Sequence, residues 1–193
     1  MLDNLNKYKI LLASKSPRRH ELLKMLDIPF DIAPPIDIDE TYPSNLPASK
    51  VPIYLAVLKA NAYRSLIKNN ELIITADTIV INNETILGKP KSEEEAVRML
   101  QSLSGHPHTV ITGVSLTSAT RQVNFDVSTK VEFAEINDCD SNYYVSKYKP
   151  LDKAGAYGIQ EWIGAIAVKA INGSFYNVMG LPVHQLYCYL RDF

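Results

Sequence analysis

Apolar runs rich in β-branched residues alternate along this chain with stretches of helical periodicity, a pattern that predicts an α/β fold. Tyr8–Ala13 reads as a first strand. It leads through Ser14–Ser16 into a helix that begins at Pro17, carries Leu22, Leu23 and Leu26 on one face, and ends near Asp27 ahead of Pro29. A proline-studded loop, Pro34–Pro47, holds Asp37, Asp39 and Glu40. A long helix is expected from Pro52 to Lys68, then a strand over Leu72–Val80, a tight turn at Asn82-Asn83 and a short strand at Thr85–Leu87. Glu93–Leu103 has the acidic start of a helix. The alternation in His108–Thr117 and Val123–Ala134 predicts an antiparallel hairpin. A helix over Asp138–Tyr148, a glycine-rich loop at Pro150–Gln160, a strand at Ile166–Ala170 and a helix from Val183 to Leu190 complete the expectation. Together they describe a mixed, twisted sheet flanked by helices. No internal repeat or composition shift divides the chain, so residues 1–193 are expected to form a single domain.

Composition narrows the function. Hydrophobic residues make up 46% of 193, enough for a core without staples. Twenty Lys+Arg stand against 21 Asp+Glu, a formal net charge of −1, which weighs against a nucleic-acid partner but not against a small anion held by a local cation cluster. An RNA-binding module would need a basic, aromatic stripe that the sequence lacks. Cys139 and Cys188 form no metal-spaced pair and are expected as free thiols. The N-terminal residues contain no apolar core before a small-residue cleavage site, and no stretch approaches the ~20 apolar residues of a membrane span. A cytoplasmic setting with no membrane partner is therefore expected.

Three places carry chemistry. In Ser14-Lys15-Ser16-Pro17-Arg18-Arg19, Ser16 suits an N-cap and Pro17 a first helical residue, so free N–H groups, two serine hydroxyls and two guanidiniums gather at a positive helix end. That suits phosphate oxygens, although an ordinary capped helix with surface arginines fits too. Lys59 borders the apolar stripe of its helix, and either snorkels to the surface or projects into a polar cleft. Asp77 interrupts the almost wholly apolar strand Leu72–Val80, where a carboxylate is costly unless paired, hydrogen-bonded or bound to metal. Gly88-Lys89-Pro90 lacks P-loop spacing, and Asp152–Gln160 is by itself a flexible loop with a charge pair. There is no GxSxG elbow, and His106 and His108 lack further ligands at zinc-like spacing.

Taken in order and spacing, Ala13–Arg19, Lys59-Ala60, Ala76-Asp77-Thr78, Gly88-Lys89-Pro90, Ser104-Gly105, His108 to Gly113, Val131-Glu132-Phe133, Asp152–Gln160 and Asn177–Pro182 resemble the Maf family of nucleoside triphosphate pyrophosphatases over nearly the whole chain. The resemblance implies a fold related to inosine-triphosphate pyrophosphatases, two lobes around a substrate cleft, and usually a homodimer. Arg18, Thr78 and Gln160 are similar to the subgroup that hydrolyses dTTP and UTP, in contrast to one that acts on 7-methyl-GTP. Two departures adjoin the matched motifs: Tyr148-Lys149-Pro150, where relatives often have Gly-Glu-Pro, and Glu161-Trp162, where a glycine is common after Gln160.

The implied reaction converts a nucleoside triphosphate and water to the monophosphate and pyrophosphate. On that reading Ser14, Ser16, Arg18, Arg19, Lys59, Lys89 and Lys153 bind the triphosphate, and Asp77 activates water. Glu40 and Asp77 hold Mg²⁺ or Mn²⁺, and Gln160 with Thr78 and Arg18 selects the base. Asp152 and Lys153 either complete the site or pair with each other. The competing reading is a nucleotide-binding regulator of septum formation with little turnover.

Overall fold

The computed structural model describes residues 2–193. In chain order the elements are β1 (Lys9–Leu12), α1 (Pro17–Lys24), β2 (Asp31–Ile32), α2 (Val51–Tyr63), β3 (Glu71–Asn82), β4 (Thr85–Leu87) and α3 (Glu93–Leu103). There follow β5 (Pro107–Ser118), β6 (Gln122–Phe133), α4 (Asp138–Tyr148), α5 (Trp162–Ala167), β7 (Val168–Asn172), α6 (Phe175–Met179) and α7 (Val183–Arg191). The strands form one mixed seven-stranded sheet in the order β2-β1-β3-β5-β6-β7, with β4 paired to β3. β1 runs parallel to both β2 and β3, whereas β4 on β3 and β7 on β6 are antiparallel. Among the described residues no helix is long and apolar enough to cross a membrane. Both cysteines are free.

The chain divides into two compact units. The first comprises residues up to Asp77, Thr112–Val127 and Gly180–Phe193; the second comprises Thr78–Ile111 and Ser128–Met179. In the first unit, α2 lies so close to β5 that a Cβ on Gly113 would stand 2.3 Å from the backbone nitrogen of Ile53. Only glycine permits that approach. A buried hydrogen bond from Thr75 Oγ1 to the Ala56 carbonyl, 2.7 Å long, fastens α2 to β3 as well. Tyr63, at the end of α2, packs with Leu11, Ala33 and Ile73 and gives its hydroxyl to the Pro34 carbonyl at 2.7 Å, which anchors the start of the proline-rich loop.

The core of the second unit joins Leu100 and Leu103 of α3 to Phe133, Tyr144, Ile159 and Ile163. Ser92 caps α3 by accepting from Glu95 N at 3.2 Å, and three glutamates occupy the first turn, where the helix dipole favours them. His108 is buried here. Its Nε2 meets the Tyr157 hydroxyl at 2.8 Å, and its ring stands edge-on to Phe133 with centroids 4.8 Å apart. Burial lowers the His108 pKa to about 4.

Several boundaries differ from the sequence expectation. α1 stops at Lys24 because Met25, Leu26 and Asp27 donate to the residue three back and Asp27 adopts φ 53°. α2 stops at Tyr63 instead of Lys68, as Arg64 N turns back to the Asn61 carbonyl. The tight turn lies one residue later than expected: Asn82 pairs with Thr85, so Asn83 and Glu84 form the loop with φ of 45° and 68°. Positive φ at both loop residues gives the twist that a two-residue hairpin requires. The strand expected from Ile166 begins at Val168, and α5 precedes it. An apolar run such as Ile163–Val168 satisfies either period, and pattern alone does not separate them. α6 is a single short turn initiated by Ser174 Oγ, which accepts from Asn177 N at 3.2 Å.

Candidate active site

In the first unit, α2 and β3 present their polar residues in consecutive rungs. Ala56 and Lys59 share a face of α2, and Thr75 and Asp77 share a face of β3, by the ordinary periods of helix and strand. One rung beyond the Thr75–Ala56 bond, Lys59 Nζ donates to Asp77 Oδ1 at 2.6 Å. The same ammonium lies 2.8 Å from Glu40 Oε2, which reaches in from the proline-rich loop. The Lys59 and Asp77 side chains are 14% and 15% exposed, whereas Glu40 is half exposed. Lys59 therefore turns inward to the carboxylates, and does not snorkel.

Arg19, on the first turn of α1, uses Nε on the Gly180 carbonyl and Nη1 on the Ala76 carbonyl, both at 2.8 Å. Its guanidinium thus ties α1 to the residue preceding Asp77 and to the start of the C-terminal segment. Burial lowers its pKa, opposed by the nearby charges of Asp77 and Glu40, while Arg18 adds to the lowering. Ser14 Oγ accepts from Ser16 N at 3.2 Å, and the Ser14 carbonyl meets His20 Nε2 at 2.7 Å, so the loop folds back onto α1. Ser16 occupies the N-cap position with Pro17 following, but its hydroxyl makes no capping bond. The sequence expectation of a serine-capped helix is corrected to that extent: the local turn closes through Ser14 instead. Arg18 is partly exposed on the same first turn.

The second unit holds the remaining residues. Thr78 follows Asp77 along β3 and is partly buried; Lys89 and Gln160 are exposed. Gly155 N donates to the Gly88 carbonyl at 3.1 Å, which ties the loop carrying Lys89 to the loop carrying Lys153. Gly155 has φ 68°, and a Cβ there would meet Val80 at 2.9 Å. Lys153 is 8% exposed and pairs with Asp152 Oδ1 at 2.8 Å and Glu161 Oε1 at 3.2 Å. Glu161 Oε2 in turn accepts the hydroxyl of Tyr144. The sequence by itself assigns no role to Tyr144 or Glu161. The signal it offers is Glu161, a charged residue directly after Gln160 where a glycine is common.

Among the described residues no group of three or more His, Cys, Asp or Glu side chains is placed to hold a metal ion. Glu40 and Asp77 are nonetheless brought onto one point, the Lys59 ammonium, which itself shows that this point favours positive charge. Two carboxylates are a hard oxygen donor pair that suits Mg²⁺ or Mn²⁺ when phosphate oxygens and water supply the other ligands.

Residues 9–193 match the family model described as Maf-like protein. The chain is 55% identical over its whole length to a dTTP/UTP pyrophosphatase of Parabacteroides distasonis, with 100% of both chains covered. It is 56% identical to the protein of the same name from Porphyromonas gingivalis, covering 100% of this chain and 98% of the relative. Among solved structures, the Staphylococcus aureus Ham1 protein aligns over 95% of this chain and 98% of its own, with a TM-score of 0.57 at 18% identity. A HAM1 protein from Coxiella burnetii gives a TM-score of 0.54 at 14% identity, with 96% and 100% covered. The last two likenesses are of fold.

Proposed function

Because the chain belongs to the Maf-like protein family, we propose that it is a nucleoside triphosphate pyrophosphatase that converts dTTP and UTP to the monophosphate and pyrophosphate. The observation that carries this reading is the Lys59–Asp77–Glu40 cluster, set in a chain whose relatives of that name match it end to end. Arg18, Thr78 and Gln160, the residues that resemble the dTTP/UTP subgroup, support the choice of base.

Attack of water on the α-phosphorus is resisted by the negative charge of the triphosphate, so catalysis is mainly neutralisation and alignment. Asp77 takes the proton of the attacking water, and Lys59 fixes the direction of its carboxylate through the 2.6 Å bond. Arg18, with Ser14, Ser16 and the positive end of α1, is suited to phosphate oxygens. Arg19 spends two donors on carbonyls, and its chief contribution is to brace the Ala76–Asp77 backbone. Lys59, Lys89 and Lys153 are assigned to the triphosphate, Gln160 and Thr78 to the base. Mg²⁺ or Mn²⁺, held by Glu40 and Asp77, would supply further neutralisation of phosphate charge.

The reading also takes residues 1–193 as one functional domain, acting as a homodimer in the cytoplasm. Light scattering of the purified chain reads the mass, and a dimer is expected. The activity is tested by pyrophosphate release from a panel of nucleoside triphosphates with Mg²⁺ or Mn²⁺, and again after chelation. Release from dTTP and UTP that chelation abolishes is the expected result. Binding without release from any nucleotide would overturn it and favour a nucleotide-binding regulator.

A further inference from the structure

Gln160 stands third in a four-residue turn, Gly158–Glu161, closed by a hydrogen bond from Glu161 N to the Gly158 carbonyl at 3.0 Å. A second closure runs through side chains. Gly158 N donates to the Tyr144 hydroxyl oxygen at 3.0 Å, and that hydroxyl donates its own proton to Glu161 Oε2. The two ends of the turn are thus joined twice. There is no slack between them: a Cβ on Gly158 would lie 2.7 Å from Glu161 Cδ. Ile159 is buried in the core with Tyr144 and Ile163, while Gln160 faces solvent. Beyond the turn, Gly164 N donates to the Glu161 carbonyl at 3.0 Å and starts α5.

The chemistry of this lock demands a carboxylate. Tyr144 has one proton, and because its oxygen already receives Gly158 N, that proton is directed to Glu161. Burial and the bond to Glu161 both raise the Tyr144 pKa, so the proton stays in place. The second oxygen, Oε1, receives the Lys153 ammonium at 3.2 Å. A glutamine has an oxygen at only one of these two positions and an NH₂ group at the other, so in this geometry either Tyr144 or Lys153 would face a donor.

We infer that Glu161 is a positioning residue for base recognition: with Tyr144 it fixes the turn that presents Gln160, and it sets nucleotide selectivity through Gln160. The inference rests on the reading of Gln160 as the base-selecting side chain. A hydrogen-bonding side chain discriminates between bases only if its donors and acceptors are held in register with the base edge, and a displacement of about 1 Å forfeits much of that.

The test is a double-mutant cycle read as the ratio of kcat/KM for dTTP over GTP, in Glu161→Gln, Tyr144→Phe, Gln160→Ala and the Gln160→Ala/Tyr144→Phe combination, with thermal unfolding of each. Each single substitution is expected to lower the ratio by about tenfold or more, chiefly through KM for dTTP. The combined variant is expected to lose no more than Gln160→Ala alone, because Tyr144 and Glu161 act through that side chain. A purely structural role would weaken both substrates alike and leave the ratio unchanged. An unchanged ratio in Glu161→Gln and Tyr144→Phe, or losses that multiply in the combination, would overturn the inference. Should one substituted chain not fold, the other carries the same test. A wild-type chain that releases pyrophosphate from neither nucleotide overturns the proposed function first, and this inference with it.

Discussion

Lys59 Nζ donates to Asp77 Oδ1 at 2.6 Å, one rung past the bond by which Thr75 holds the Ala56 carbonyl. The same helix–strand contact that makes a neutral hydrogen bond at one rung makes an ion pair at the next. The register of α2 on β3 decides where the carboxylate is held.

Asp77→Asn keeps the shape of the side chain but removes its basicity. Pyrophosphate release from dTTP is expected to fall by about 10²–10⁴-fold, the usual range for loss of a general base, with the thermal unfolding midpoint little changed. Turnover near the wild-type rate would sink the assignment of Asp77 as base.

Arg19→Lys tests the brace. An ammonium cannot reproduce the planar fork by which Nε and Nη1 reach two different carbonyls. One of the two charge-assisted bonds to a carbonyl is lost, a cost of about 1.5–3 kcal/mol. Urea unfolding should show the loss in stability, and kcat should fall with it as Asp77 loosens. If stability is unchanged and only KM rises, Arg19 serves as a phosphate ligand and not as a brace.

Gly113→Ala places a Cβ 2.3 Å from Ile53 N, against backbone that has no flexible end to move aside. Overpacking of this kind costs about 1–3 kcal/mol or more. Since α2 must shift to relieve it, Lys59 moves too, and activity should drop at temperatures where the chain remains folded. Circular dichroism and steady-state rates on the same sample check both.

His108 supplies a pH dependence. Its folded pKa of about 4 lies below the ordinary value of 6.5, so the neutral ring is favoured in the folded state. The stability it contributes is complete above pH 6.5 and is lost as pH falls towards 4, because the unfolded chain takes up the proton first. Between pH 7 and pH 5 the loss is about 2 kcal/mol. His108→Phe should flatten that part of the profile in urea titrations; an unchanged profile would assign the acid sensitivity to other groups.

Much of this was legible along the chain. The acidic start of α3 and the extent of α4 follow from local chemistry, since Ser92 and Asn137 cap their helices with neighbours three residues on. Asp77 stood out because a carboxylate in an apolar strand needs a partner somewhere. The helix α5 was not legible, because its short apolar run fits helix and strand equally and packing settles the choice.

By itself the sequence determined the α/β alternation, the order of the motifs and the residue types at the site, all of which depend on local period and side-chain chemistry. Tertiary structure alone decided the partners. Lys59 is 18 residues from Asp77 and takes both it and Glu40; Arg19 braces backbone 57 and 161 residues away; Glu161 closes on Tyr144, 17 residues earlier. Such pairings follow from how closely α2 can approach the sheet and where each turn is locked. Those are properties of packing in three dimensions, which no local period encodes.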